Sequence, residues 1–315
     1  MKYGTVPGLD KPVSKLVLGS VVFGTETKEK LHTTFDLLDA FIAMGGSIVD
    51  TANTYGGGES ERALGAWLTE RGNRSQVLVL TKGAHPKRGA PRRVTPQDIN
   101  ADMEESLGRL HTDYVDLYLL HRDDPELPVG PIVECLNEHA SAGRIRAFGG
   151  SNWSVRRIDQ ANAYATAHGL RGFSASSPNL SLAVPKEPRW PGCLAVDAET
   201  LAWHRTHQFP LFSWSSQAGG FFTGRFTPED QSDKEMVRTY YTEGNWERFR
   251  RARELAKKKG CDALQIALAF VLNQPFPAFP LIGPATVDEL KSSAAALDIT
   301  LTAEELAYLD LGERE

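Results

Sequence analysis

Eight short runs rich in Val, Leu and Ile recur along the chain, each followed by a longer segment with helical spacing of its apolar residues. The runs cover residues 16–18, 47–51, 77–81, 114–120, 145–149, 172–176, 211–215 and 279–282. Between them lie candidate helices at 29–44, 59–71, 96–110, 131–143, 155–168 and 263–274. Strands that alternate with helices indicate strand-helix repeats and a parallel sheet. Eight units in about 300 residues suit a closed (β/α)8 TIM barrel better than an open doubly wound sheet. Helix starts agree with the count. Thr95-Pro96-Gln97-Asp98 puts a capping hydroxyl before a first-turn proline and acid, and Thr286 to Glu289 and Thr302 to Glu305 read as capping boxes. The last box begins a helix added after the eighth unit.

Two stretches exceed a normal connection, 177–199 with four prolines and 219–246 with Tyr240 and Tyr241, and loops this long are more often functional than idle. No domain boundary, repeat or low-complexity tract interrupts residues 1–315, so one domain is expected, with its long loops at the carboxyl face of the barrel. A formal charge of −5 opposes binding to nucleic acid or anionic lipid. No apolar run approaches a membrane span and no signal segment opens the chain, which makes the cytoplasm the expected compartment. Cys135, Cys193 and Cys261 are odd in number and far apart, and read as buried reduced thiols rather than disulfides or a zinc site.

Reactive side chains stand at or just past the ends of three consecutive runs. Asp50 ends Ser47-Ile-Val-Asp50, Tyr55 follows five residues on, Lys82 ends Val77-Leu-Val-Leu-Thr-Lys82, and His121 ends Tyr114-Val-Asp-Leu-Tyr-Leu-Leu-His121. In an eight-stranded barrel the carboxyl ends of the strands carry the active site, so the four should converge. Their chemistry suits carbonyl reduction. A phenol titrates near 10 and gives up a proton more readily beside a cation, which Lys82 supplies; Asp50 keeps that ammonium charged, and His121 hydrogen-bonds the substrate oxygen. Taken singly, each residue reads more simply as an ion pair or a packing group, and His121 with Asp123 and Asp124 as a metal cluster. Four in this order reverse the preference, and no second His pair supports a metal.

With these motifs the chain resembles the aldo-keto reductase family, whose tetrad is Asp, Tyr, Lys and His. The matching stretches are Asp50-Thr-Ala-Asn-Thr-Tyr55-Gly, Leu80-Thr-Lys82, Leu119-Leu-His121 and Gly150-Ser151-Asn152, and the likeness runs from Leu16-Val-Leu-Gly19 to Ile282-Gly283-Pro284. The resemblance implies direct hydride transfer between NADP(H) or NAD(H) and a carbonyl or alcohol, without a metal. It makes Tyr55 the general acid, Lys82 the group that lowers its pKa, Asp50 the holder of Lys82, and His121 the residue that orients the carbonyl.

The resemblance also assigns cofactor contacts: Ser151 and Asn152 to the carboxamide, Trp214 as the stacking ring in place of the usual Tyr, and Ser177 as the weak substitute for an absent Gln. Ser215, Gln217 and Gly219 belong to a turn of small residues that admits a pyrophosphate. Gly283 and Thr286 open the last barrel helix, at the adenosine end. Members specific for NADP usually offer Arg or Lys there, whereas this chain has Ala285, Thr286 and Glu289. Glu289 would repel a 2′-phosphate and accept a hydrogen bond from a free ribose hydroxyl, so NAD is an expected alternative to NADP.

Phe23, Trp153 and Trp190 are candidates for an aromatic substrate wall, with Trp190 equally readable as a packing anchor. Lys87, Arg88, Arg92 and Arg93 read as a solvated basic loop or an attractor for anionic substrates, and 248–259 as an exposed basic helix face. The leading expectation is an NAD(P)-dependent reductase of aldehydes or ketones, sugar-like compounds included. NAD-dependent oxidation of a sugar hydroxyl, or a cofactor-binding regulatory subunit of an ion channel, are the alternatives. Oligomeric state is not encoded in any motif.

Overall fold

The computed structural model describes residues 1–86 and 92–311. Eight strands form its centre: β1 (Val17–Gly19), β2 (Ile48–Asp50), β3 (Leu78–Gly83), β4 (Val115–Leu120), β5 (Ile145–Ser151), β6 (Ala175–Ser177), β7 (Leu211–Ser213) and β8 (Ala278–Ile282). Each pairs in parallel with its neighbours in chain order, and β8 returns to β1, closing a barrel. Strand pairs such as Val49 with Val79 and Leu80 with Leu117 fix the register. All eight apolar runs of the sequence are these strands.

Their near-continuous apolar character follows from burial on both faces. Leu78 and Leu80 of β3, Leu117 and Leu119 of β4, and Phe212 and Phe279 fill the barrel interior, whereas Val79, Tyr118 and Leu120 point outward into the helix layer. Phe212 and Phe279 stack with centroids 4.8 Å apart. An antiparallel pair at the amino terminus, Tyr3–Gly4 with Val13–Ser14, brings Val6 and Val13 into the interior cluster.

The helices are α1 (Lys28–Ala43), α2 (Glu59–Arg71), α3 (Pro96–Leu110), α4 (Val129–Ser141), α5 (Val155–Ala167), α6 (Ala198–His207), α7 (Lys234–Tyr240), α8 (Glu243–Lys259), α9 (Ala263–Leu272), α10 (Val287–Ala295) and α11 (Ala303–Asp310). Thr95 with Asp98 and Thr302 with Glu305 form reciprocal capping boxes. Thr286 caps α10 through the Glu289 amide, but the Glu289 carboxylate turns to the Ala285 amide, so the reciprocal half of the expected box is displaced by one residue.

The second of the two long connections is more ordered than a loop. The segment after β7 contains a 3-10 turn (Ala218–Thr223), α7 and the start of α8, and Lys186 N donates to Thr239 O, joining it to the segment after β6. The basic stretch at 248–259 is largely an exposed helix face, with Arg250, Arg253, Lys257 and Lys258 outward and Arg248 the exception. Arg248 is only 1% exposed, because α11 lies across α8 and the Arg248 guanidinium donates to Asp310 O. No helix among the described residues is long and apolar enough to cross a membrane. Cys135 and Cys193 are buried and Cys261 partly so, all three as free thiols.

Candidate active site

Asp50 is the last residue of β2, Lys82 the last but one of β3, and His121 follows the end of β4, so three adjacent parallel strands deliver them to one rim. Tyr55 arrives from the turn after β2. That turn is pinned from outside: Glu61 of α2 accepts from Thr81 Oγ1 (2.7 Å) and pairs with Arg109 (3.2 Å), which donates to Asn53 O (2.8 Å). Gly58, at φ 94°, closes it, and a Cβ there would strike the Arg109 guanidinium.

Lys82 Nζ is the hub. It donates to Asp50 Oδ1, to Thr51 O at 3.0 Å and to Tyr55 OH at 3.1 Å. Three acceptors require three protons, which only the ammonium carries. Burial favours the neutral amine, but Asp50 and Tyr55 outweigh it and hold Lys82 above its ordinary range. Burial also raises the Asp50 carboxyl against the pull of Lys82. The two shifts act oppositely on the pair, and the three-acceptor geometry decides for ammonium and carboxylate.

Tyr55 differs from the sequence expectation in its balance. Burial raises its pKa and Lys82 lowers it, with burial prevailing, so the phenol lies above its ordinary value and keeps its proton at neutral pH. Because it accepts from Lys82, its own proton remains free to be given elsewhere. His121 sits edge-on to the Tyr55 ring, with centroids 5.7 Å apart. Burial, Lys82, His85 and Arg122 depress its pKa well below the usual value, leaving a neutral imidazole whose Nδ1 meets no partner among the described residues.

The candidate cofactor residues line the next strand ends in order. Ser151 ends β5 and donates to Ser177 O (3.0 Å), while Ser177 Oγ is buried without a partner among the described residues. Asn152, at φ 58°, donates to His121 O and Ser151 Oγ and accepts from Leu194 N and from Trp214 Nε1 (3.2 Å). Its amide thus ties β4, β5 and β7 together. The missing Gln has a partial counterpart in Asn179, an amide two residues beyond Ser177 that donates to Trp214 O (2.9 Å).

After Trp214, the chain turns through Ser215, Ala218, Gly219 and Gly220, all at positive φ. The Ala218 and Gly220 amides already donate to Ser215 O and Gln217 O at 2.9 Å, so what this cradle of small residues offers an anion is close approach rather than a run of free amides. Gly219 has little room for a side chain, since a Cβ would approach Met236 Sδ at 3.2 Å and Arg189 Nη1 at 3.4 Å. Gln217 donates to Ser293 Oγ (3.3 Å), linking this turn to α10. Gly283 is open and exposed, Thr286 caps α10, and Glu289 accepts from Ala285 N at 2.7 Å. That carboxylate occupies an amide an incoming anion would use.

Of the aromatic candidates, Trp190 alone is exposed, at 43%, and its ring lies 5.6 Å from Trp214. Phe23 and Trp153 are 2% and 3% exposed. Phe23 borders a cavity of about 370 Å3 with Thr27 and Ala285, beside the β8 turn, and Trp153 packs on Phe173 and donates to Arg122 O. A larger cavity of about 710 Å3 lies between 222–228, α8 and the start of α9 and includes none of the four rim residues. Arg92 pairs with Asp124, Arg93 with Asp98 and Asp102, and Asp123 with Arg157, whereas Lys87 and Arg88 lie outside the described residues.

A model of the Aldo/keto reductase family matches residues 15–311. The chain belongs to that family. It is 30% identical over 315 residues to norsolorinic acid reductase stcV of Emericella nidulans, covering 95% of this chain and 78% of that one. Among solved structures, an aldo-keto reductase of Klebsiella pneumoniae in complex with NADPH superposes with a TM-score of 0.73 at 25% identity, over 99% of this chain and 95% of that one. The thermostable aldo-keto reductase Tm1743 gives 0.74 at 25% identity over 99% of both.

Three cations or imidazoles near this reductase's site escaped the sequence reading. Arg189 donates to Ser215 Oγ (3.1 Å), Arg225 to Gly219 O (2.9 Å), and His85 stands edge-on to His121 at 4.7 Å. Arg189 beside Trp190, and Arg225 at the end of a glycine turn, were visible signals. Their convergence on one cradle was not.

Proposed function

We propose that this family member reduces aldehydes or ketones with a nicotinamide dinucleotide, Tyr55 giving the proton and residues 1–315 acting as one domain. The observation that carries this reading is the Lys82 hub: an ammonium saturated by Asp50, Thr51 O and Tyr55 OH leaves the phenol proton directed away from Lys82. A nicotinamide dinucleotide, when bound, supplies the hydride. The residues fit one. Trp214 offers a stacking face, Ser151, Asn152 and Ser177 offer polar groups beside it, the 215–220 cradle with Arg189 and Arg225 suits a pyrophosphate, and Gly283, Thr286 and Glu289 face the adenosine end.

In reduction, His121, a neutral imidazole, donates a hydrogen bond to the carbonyl oxygen. As that oxygen gains charge, Tyr55 transfers its proton to it, and the nearby Lys82 charge stabilises the phenolate left behind. Asp50 holds Lys82 in place and compensates its charge. Phe23, Trp153 and Trp190 differ in this respect: Trp190 can meet substrate, whereas Phe23 and Trp153 support the walls. Relatives named norsolorinic acid reductase and aryl-alcohol dehydrogenase make aromatic carbonyls the first substrates to assay.

NAD use, including oxidation of a sugar hydroxyl, is the second reading, favoured by Glu289 at the Ala285 amide. A parallel titration with NADPH and NADH, followed by quenching of the tryptophans, with turnover of an aromatic aldehyde, tests both. Binding without turnover would overturn the enzymatic reading, and no binding of either nucleotide would overturn the cofactor site. Tighter NADPH binding would remove the case for NAD.

A further inference from the structure

Tyr55 is carried by a segment that cannot hold itself. Gly56, Gly57 and Gly58 follow it directly, all in the left-handed region at φ 58°, 64° and 94°, and successive glycines leave the backbone no side chains to lock it. The restraint comes from outside the turn. Asn53 donates through its amide to Lys82 O (2.9 Å) and through Nδ2 to Asp102 O (3.3 Å) and Glu105 Oε2 (3.2 Å), and its carbonyl accepts from Arg109 Nη1 (2.8 Å). On the other side of Tyr55, Gly58 lies so close to the same guanidinium that a Cβ would stand 2.7 Å from it. Arg109 of α3 thus touches the turn both before and after the phenol.

The guanidinium is itself anchored to the strand that carries Lys82. Arg109 Nη1 pairs with Glu61 Oε2 (3.2 Å), and Glu61 Oε1 accepts from Thr81 Oγ1 (2.7 Å). Side chains alternate along β3, so Thr81 faces the helix layer while Lys82, the next residue, faces the site. One carboxylate, its side chain fully buried, therefore ties the neighbour of Lys82 to the turn around Tyr55. Among the described residues, neither Glu61 nor Arg109 bonds to the side chain of Asp50, Tyr55, Lys82 or His121. A buried ion pair is a weak source of net stability, because desolvation offsets the attraction, so stability alone does not account for one here.

We infer that Glu61 and Arg109 are positioning residues, which set the 3.1 Å contact between Lys82 Nζ and Tyr55 OH from behind the barrel wall. This rests on the reading of Tyr55 as proton donor. Without the clamp the glycine turn relaxes, the phenol leaves the ammonium, and the phenolate formed in the reaction loses the charge that stabilises it. Misplacement of a reacting group by about 1 Å is enough to cost about 100-fold in rate. The proposed substrate and nucleotide contacts lie on other segments, so the loss falls on kcat.

The test measures kcat and KM for an aromatic aldehyde in Arg109→Met, Arg109→Lys and Glu61→Gln, each also combined with Tyr55→Phe, and follows nucleotide affinity by tryptophan quenching. In Arg109→Met, kcat should fall about 10- to 100-fold while KM and nucleotide affinity stay within about twofold, and Arg109→Lys should recover part of the loss. Combined with Tyr55→Phe, Arg109→Met should change the residual turnover by less than about twofold, because a group that acts only through the phenol has nothing left to position. An unchanged kcat in Arg109→Met, an equal fall with and without Tyr55→Phe, or a loss confined to KM would overturn the inference. Glu61→Gln keeps the shape of the side chain and an acceptor for Thr81 while removing the charge that holds Arg109, and it is judged by the same criteria if Arg109→Met does not fold. Unaltered turnover in Tyr55→Phe alone would instead overturn the proton-donor reading, and this inference with it.

Discussion

His204 gives the structure a measurable acid sensitivity. It lies on α6, fully buried, with Nδ1 donating to Phe209 O (2.9 Å) and Nε2 accepting from Ser176 Oγ of β6 (3.1 Å). Both ring nitrogens are committed to the neutral form, and burial depresses the pKa from 6.5 to about 4. The unfolded chain therefore binds a proton here at a higher pH than the folded one. Stability from this group is complete above pH 6.5 and is lost as pH falls through 4. The full shift corresponds to about 3 kcal/mol, of which about 2 kcal/mol should be gone at about pH 5. Other depressed histidines, His85, His121 and His139, act in the same direction, so the wild type alone does not isolate His204. His204→Gln can keep a donor and an acceptor but does not titrate. Urea unfolding at about pH 7.5 and about pH 5 should show the variant losing about 2 kcal/mol less than the wild type over that interval. Equal losses would refute the burial argument for His204.

Tyr55→Phe should lower aldehyde turnover by about 10²- to 10⁴-fold while nucleotide affinity, read by tryptophan quenching, stays within about twofold of wild type. Unaltered turnover would remove Tyr55 from the proton-donor role. Arg189→Gln should weaken NADPH and NADH alike by about tenfold or more and flatten the salt dependence of binding, because a charged donor leaves the 215–220 cradle. Retained affinity would place Arg189 with Glu235 as a purely structural pair. Glu289→Gln should raise NADPH affinity relative to NADH by about two- to fivefold in a paired titration, the modest size reflecting an exposed carboxylate. An unchanged ratio would separate Glu289 from cofactor choice.

The barrel was legible in the sequence because burial on both faces leaves each strand a continuous apolar run, and because the helices between runs exclude hairpin connections. Asp50, Lys82 and His121 were legible for the same reason: each ends or directly follows such a run, so strand order alone places them on one rim. Side-chain direction was not legible. Phe23, Trp153 and Trp190 share a composition and a loop setting, yet two are inside and one is out, since only the packed neighbours choose the face. Arg248 sits in a basic run with exposed spacing and is buried because α11, some fifty residues later, lies across it.

What the sequence determined by itself is the closed eight-fold repeat and the identity and order of the rim residues, since both follow from local periodicity and chain order. The tertiary structure alone decided the charge states and partners at that rim. The Tyr55 phenol lies above its ordinary value because burial outweighs Lys82, and burial exists only once the barrel has closed. His85 and Arg189 reach His121 and Ser215 because distant segments, α3 for one and the interlocked loops after β6 and β7 for the other, hold them there. Hydrogen bonds and dielectric act through space, and no spacing along the chain records them.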